Sequence, residues 1–404
     1  MSTIAYFAPV YRGHVVGKKN FINTLSSKGH KIIYFAPSDY MDLVMGMDAS
    51  YIPYPEFNSF LLLKNGKLST GDVNSRINFL LTNTVNASLD ISEWANGLLD
   101  IMKVDLIIHD NMALWGYLSA EKLGINSICS LTIMPTNSET MKNTGEGSIY
   151  LNLLPESSES LKTLHDSSSA QDIRSFVDVM TCEYHPNKIT YTSKLFQRHS
   201  EFFSQEDYMF FPSRCDNVEL YTSPSDSIEN IYISFGTIYN NDIDLYKNLL
   251  DRLLDTQYKV LVSVGGSNST YSAINYYSGY RNINIEYFVN QHDALKSHDL
   301  FITHGGLNSV SESICHLVPM ITIPLVGDQY SIAQSLQELG AGITMSRGQN
   351  DIIQQIEKIT QSQHGYQDNL MDIRNSFTDT SFSDNTIERV EVLAEGRVKM
   401  NDEL

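Results

Sequence analysis

Twice along the chain, short apolar runs alternate with stripes of helical period. In the first stretch the runs are 4–8, 31–35, 106–109 and 125–131. Between them Phe21, Ile22 and Leu25 mark a buried helical face that stops at Gly29, residues 72–103 carry a long helical pattern, and 114–123 stops at Gly124. Short runs spaced by helices are βαβ units, and such units require a parallel sheet. A second alternation starts near Ile228. Strands are expected over 231–235, 259–264, 283–289, 300–303, 320–323 and 343–345. Helices are expected over 245–254, 309–317 and 329–339, with helical signals from 351 to about 398. From 135 to about 225 the rhythm weakens, and loops and helices over the sheet are expected there.

The chain is therefore expected to be α/β, with two Rossmann-like halves built on parallel sheets. Its 404 residues suit two or three domains of about 150. Pro212 and the run Thr222-Ser223-Pro224-Ser225 read as a linker. The expected domains are 1–215, 225–385, and a helix or tail over 386–404 that can cross back to the first domain. Ligands of such sheets bind at the carboxyl ends of the strands, and two halves facing each other would make a cleft.

Composition removes several alternatives. Lys and Arg number 28 against 47 Asp and Glu, a formal charge of −19. That sign disfavours nonspecific binding to nucleic acid or anionic membrane. A hydrophobic share of 42% is enough for a packed core, which argues against global disorder. Cys129, Cys182, Cys215 and Cys315 stand far apart with no CxxC pair, which disfavours a zinc ribbon and suits a reducing cytosol. No secretory leader and no apolar run of about 18 residues is present, so a cytoplasmic protein without a stable membrane anchor is expected. The ending Asn401-Asp402-Glu403-Leu404 looks like a retention tail but would not be read without a leader.

The segment from Leu300 to Glu312 carries the most chemistry. An apolar strand ends at His304, Gly305-Gly306 make a turn, and a helix opens at about Ser309. Glycines let backbone approach a ligand, and a helix N-terminus offers N–H groups and partial positive charge. That suits a diphosphate, with His304, Asn308 and Ser309 adding side-chain hydrogen bonds. The same residues also fit a capping box, Ser309 to Glu312, with His304 as a core histidine. Gly236-Thr237 and Gly265-Gly266 end two further strands. No GxGxxG and no GxxxxGK[ST] exists, which disfavours a nicotinamide dehydrogenase and a P-loop NTPase.

In this order the motifs resemble the UDP-glycosyltransferase superfamily, most closely its bacterial macrolide and natural-product branch. The matching pieces are SFGT at 234–237, FVNQ at 288–291, HGGLNS at 304–309 through Glu312, VP at 318–319 and PLVGDQ at 324–329. The first half adds GH at 13–14, KGHKIIYF at 28–35 and DLIIHD at 105–110. The resemblance implies the GT-B fold, with the donor in the second domain and the acceptor in the first. It implies inverting transfer of a sugar from a nucleotide diphosphate to an acceptor hydroxyl, with no metal or other cofactor. Carried over by position, Phe288 would stack on the base with Val289 and Gln291 beside it. His304, Asn308 and Ser309 would hold the diphosphate, with Gly236, Thr237 and Gly306 also donor-binding. Glu312 would bond the ribose, and Asp328 and Gln329 the sugar. Phe288 stands where the family usually has Trp, Asn290 where it has Pro, and Leu317 where it has Gly.

His14, in the Gly-His turn after the first strand, is the expected general base, oriented by Asp110 at the end of the fourth strand. The alternative is a histidine bonded to turn backbone and an aspartate capping a helix. His109 ranks second, because strand alternation points it to the opposite face. Asp242-Ile-Asp244 has the spacing of a metal-dependent transferase, but acidic residues are ordinary before a helix. The resulting expectation is a UDP-sugar-dependent hexosyltransferase, glucose first, acting on a hydroxylated small molecule, as monomer or homodimer. A nucleotide-sugar-binding protein without turnover and a sugar-nucleotide epimerase are the alternatives. Phe57, Phe60 and Leu61–Leu63 hint at an apolar acceptor pocket, and fit plain core equally well.

Overall fold

The computed structural model describes residues 1–65, 73–144, 159–168, 170–212, 215, 227–237 and 240–396. The expected linker run at 222–225 and the last eight residues lie outside the described residues. The chain divides into two compact units. One takes Met1–Tyr191, Glu201–Phe211 and the helix Thr380–Ala394; the other takes Thr192–Ser200 and Pro212–Asp379.

The first unit holds a seven-stranded parallel sheet. Its strands are β1 (Thr3–Phe7), β2 (Lys31–Ala36), β3 (Ser50–Pro53), β4 (Leu106–Asp110), β5 (Asn126–Leu131), β6 (Lys188–Thr190) and β7 (Tyr208–Phe210). They lie in the order β3-β2-β1-β4-β5-β6-β7. Alternate residues of β1 feed two cores. Ile4 and Tyr6 join Tyr34, Ile108 and Ile128 on one face, and Ala5 and Phe7 join Ile33, Phe35 and Ile107 on the other. A sheet covered on both faces explains why these strands read as unbroken apolar runs. Helix Thr380–Ala394 belongs here because Ile387, Val390 and Ala394 complete the first of those cores. Thr386 Oγ1 also donates to the Phe210 carbonyl at 2.8 Å.

The second unit holds six parallel strands: β8 (Asn230–Ser234), β9 (Lys259–Ser263), β10 (Ile283–Glu286), β11 (Leu300–Thr303), β12 (Met320–Thr322) and β13 (Gly342–Thr344). Their order is β10-β9-β8-β11-β12-β13. In both units the chain steps outward from a central strand, returns, and continues on that strand's other side. This is the doubly wound order, and its reversal leaves two adjacent carboxyl ends: β1 with β4, and β8 with β11.

Three expectations need correction. The stretch 135–225 contributes strands β6 and β7, not only loops and helices. Each is three residues long, too short for any periodicity to show. The helix after β11 opens at Leu307, two residues before Ser309. Cys215 and Cys315 are joined in a disulfide, with Cα atoms 5.0 Å apart across a sequence separation of 100, whereas the scattered cysteines were expected to suit a reducing cytosol.

Candidate active site

The reversal in the first unit is built from side chains. After β1 the chain makes a short helix, Arg12–Val16, and two tyrosines fix the loop that leads into it. Tyr54 donates to the Ala8 carbonyl at 2.8 Å and Tyr40 to the Val10 carbonyl at 2.5 Å. This places His14 Nδ1 3.0 Å from both carboxylate oxygens of Asp110, the last residue of β4. The His14 side chain is 17% exposed and Asp110 is 0% exposed. The remaining bonds to Asp110 also converge. The Met112 amide donates to Oδ1 at 3.0 Å and the Thr132 hydroxyl to Oδ2 at 2.5 Å. Burial pushes the Asp110 carboxyl up. The His14 imidazole, the Lys18 ammonium and the Thr132 hydroxyl outweigh that and hold it below its ordinary value. An ionised Asp110 accepts the Nδ1–H and fixes the tautomer that carries its lone pair on Nε2.

His109 turns the other way. Its ring lies 5.4 Å from His185 and 6.0 Å from Tyr117, and burial pushes it down to about 4. Phe60 and Leu63 are buried in the core with Trp115 and Phe57 packs against it, while Leu61 is half-buried and Leu62 is exposed. Sequence reading missed Thr132, Tyr40, Tyr54 and Lys18. A hydroxyl immediately past the strand neighbouring Asp110 was a readable signal for Thr132; the others depend on tertiary packing.

The reversal in the second unit is built from backbone. Gly236 follows β8 with φ +72° and Gly305 follows β11 with φ +83°. The His304 ring lies against both turns. A Cβ on Gly236 would come within 2.9 Å of its Cε1, and one on Gly306 within 2.7 Å of its Nε2. Glycine is therefore required at both positions for the ring to fit. Gly306 is the N-cap of helix Leu307–His316 and brings no side chain to it, so the anticipated capping box does not form. Asn308 and Ser309 stand half-buried in the first turn. Burial pushes His304 down to about 4, so near neutral pH it offers a hydrogen bond without a charge.

The other expected donor residues follow the same edge. Phe288 is 66% exposed, a flat ring presented to solvent just after β10, with Val289 half-buried beside it. Asn290 caps the helix Gln291–Leu295 through its side chain, which accepts from the His292 amide at 3.1 Å. Gln291 Nε2 donates to Glu312 Oε2 at 2.7 Å. Burial raises the Glu312 carboxyl, and the neighbouring His292 and the Gln291 bond partly offset this. Gln329 is buried and its carbonyl oxygen accepts from the amides of Leu325 and Val326 at 2.9 and 3.1 Å, so that oxygen is committed to shaping its own loop. Asp328 is half-buried at the N-cap of the following helix, and Thr237 is exposed. Asp242 caps helix Ile243–Leu253 and pairs with Arg347 at 2.6 Å, the structural reading of that acidic pair. Among the described residues no three His, Cys, Asp or Glu side chains group as metal ligands, and no helix is long and apolar enough to cross a membrane.

The family described as UDP-glucoronosyl and UDP-glucosyl transferase matches residues 213–383. The chain is 28% identical to YojK, an uncharacterized UDP-glucosyltransferase of Bacillus subtilis, over 82% of each chain. It is 31% identical to the NDP-glycosyltransferase YjiC of Bacillus licheniformis over 59% of each. Among solved structures, the calicheamicin glycosyltransferase CalG4 superimposes with a TM-score of 0.76 at 17% identity, covering 99% of both chains.

Proposed function

We propose, from the premise that this chain belongs to the UDP-glycosyltransferase superfamily and has its GT-B fold, that it transfers a hexose from a UDP-sugar to a hydroxyl of a small natural product. Glucose is the first donor to try, because two relatives, matching 82% and 97% of the chain, are named UDP-glucosyltransferases. The observation that carries the chemistry is the His14–Asp110 pair at the β1/β4 reversal, with Nδ1 on the carboxylate.

In this reading His14 Nε2 takes the proton of the acceptor hydroxyl as its oxygen attacks the anomeric carbon. The bond from that carbon to the diphosphate breaks on the opposite face, so the configuration inverts and UDP leaves with the bonding pair. Asp110 stabilises the imidazolium that forms. Negative charge growing on the leaving diphosphate is met by the N-terminal turn of helix Leu307–His316 and by His304, and no metal is required. Phe288 stacks on the base, Gln291 lies beside it, Glu312 bonds the ribose, and Asp328 with Gln329 bonds the sugar. A cytoplasmic enzyme, as monomer or homodimer, belongs to the same proposal.

The test is His14→Ala assayed with UDP-glucose and a panel of phenolic and macrolide acceptors, with chelator present. Transfer should fall at least about 100-fold while the rise in melting temperature caused by UDP persists. Retained transfer removes His14 as the base. A melting shift with dTDP instead of UDP moves the donor and leaves the chemistry standing.

A further inference from the structure

Helix Gln291–Leu295 is only five residues long, too short to hold its own geometry in water. Packing and side-chain bonds fix it instead. Ala294 and Leu295 are buried. Two bonds then tie its first turn to helix Leu307–His316. Gln291 Nε2 donates to Glu312 Oε2 at 2.7 Å. His292 Nδ1 lies 3.1 Å from His316 Nε2, with the ring centres 5.4 Å apart. Glu312 and His316 are four residues apart and so share one face of their helix. Two consecutive residues of the short helix therefore meet two consecutive turns of the long one.

The two bonds have different surroundings. Glu312 is half-buried, and in the reading above it also meets the ribose, so the Gln291–Glu312 bond is shared with the ligand. His316 is 1% exposed and lies in the last turn of its helix. That turn is a fixed post. Cys315 is cross-linked to Cys215, Arg374 Nε donates to the Cys315 carbonyl at 3.1 Å, and Ser313 Oγ donates to the Val318 carbonyl at 2.8 Å. A buried imidazole nitrogen needs a hydrogen-bond partner, and a phenylalanine would fill similar space without that need. His316 directs Nε2 at His292. His292 is exposed, and water would satisfy its ring in any other orientation, yet it turns inward to this bond.

We propose that His292 and His316 are positioning residues for the nucleotide: a clasp that holds helix Gln291–Leu295 on the anchored end of helix Leu307–His316, and so keeps Gln291 and Glu312 in register to receive the ribose. One imidazole N–H donates to the lone pair of the other ring, and the bond stays made whether or not a ligand engages Glu312. Neither histidine touches the ligand. The inference rests on the reading of Gln291 and Glu312 as donor residues, and its test needs no acceptor and no turnover.

The full chain is titrated with UDP and with 2′,3′-dideoxy-UDP by calorimetry, with EDTA present so that no metal ion bridges the two rings. His292→Ala should raise the Kd for UDP at least about fivefold, the size of one lost hydrogen bond. The loss should be clearly smaller for the dideoxy nucleotide, which offers Glu312 no hydroxyl. His292→Gln, whose amide can still meet His316 Nε2, should keep most of the affinity. His316→Phe keeps a buried ring and removes the nitrogen, so it should repeat the loss, and it decides the matter if His292→Ala does not fold. If neither folds, the pair is structural and the proposal falls. A pair that only stabilises the fold would lower the melting temperature and leave both affinities unchanged. Unchanged UDP affinity in folded His292→Ala, or an equal loss for the two nucleotides, overturns the clasp alone. A wild-type chain that binds no UDP overturns the donor reading itself, and the clasp with it.

Discussion

The two reversals occupy the same place in the same strand order, yet they are made of different material. At β1 and β4 the site is a carboxylate with 0% exposure, bonded by His14, Thr132 and the Met112 amide. At β8 and β11 it is two glycine turns, a neutral histidine and the start of a helix. The difference teaches that doubly wound topology assigns the address while the residues just past each strand assign the chemistry. Proton transfer needs a group whose charge changes during reaction. Holding an anion needs donors whose charge does not change.

The sharpest way to break this comparison is to damage each reversal separately. Asp110→Asn removes the charge behind His14 and should lower kcat by about 100-fold or more, with UDP still raising the melting temperature. Gly306→Ala should do the opposite. Its Cβ would stand 2.7 Å from His304 Nε2, so the ring must move, and the UDP-dependent melting shift should weaken at least about tenfold in ligand concentration. If Asp110→Asn abolishes UDP binding as well, the division of labour between the two reversals is wrong.

Much of this arrangement was legible in the sequence, and unevenly so. The central strands β1, β4, β8 and β11 are buried on both faces, so three or four apolar residues in a row announced them. The turn residues after them were legible because glycine there answers a steric demand. Strands β6 and β7 were not, since Lys188-Ile189-Thr190 and Tyr208-Met209-Phe210 have no room for a pattern. Nor was the surrounding of Asp110. Lys18 reads as a solvated charge next to Lys19, and only packing against Tyr191 shows otherwise. The chemistry of Cys215 and Cys315 was likewise hidden, because a spacing of 100 residues says nothing about proximity.

Acid sharpens the comparison in a different way, because each unit contains a histidine that burial pushes down to about 4. In the unfolded chain these groups titrate near 6.5, so between about 6.5 and 4 the unfolded state binds more protons than the folded one. Stability therefore falls as pH falls through that window. For fully buried His109 the effect reaches about 3 kcal/mol at its lower end, and for the less completely buried His304 it is smaller. Asp110 acts in the same direction but lower, since its depressed carboxyl gives up its contribution only below about 4. Urea midpoints measured at pH 7 and pH 5 should separate in the wild type. His109→Gln should bring them closer together than His304→Gln does. Equal separation in all three chains would mean that neither histidine is held neutral by burial.

The smallest expected effect compares the helices that follow β4 and β11. Helix Leu114–Leu123 ends on Gly124 at φ +64°, and helix Leu307–His316 ends on Leu317 at φ +57°. The same left-handed stop is thus made once by glycine and once by leucine. The hydrogen bonds are satisfied in both, with the Leu317 and Val318 amides donating to the Ile314 and Ser313 carbonyls at 3.1 Å. What differs is the strain of a Cβ in that conformation, about 1 kcal/mol. Leu317→Gly should relieve it and stabilise the second unit by up to about 1 kcal/mol, less whatever packing its half-buried side chain contributes. Gly124→Ala should cost the first unit about as much, for backbone reasons alone, since a Cβ there meets nothing within 4 Å. Denaturant unfolding of both variants against the wild type measures the pair. Stabilisation by Leu317→Gly would identify the leucine as retained despite its backbone. Destabilisation would mean that its contacts outweigh the strain, and that the two helix ends solve one problem by different balances.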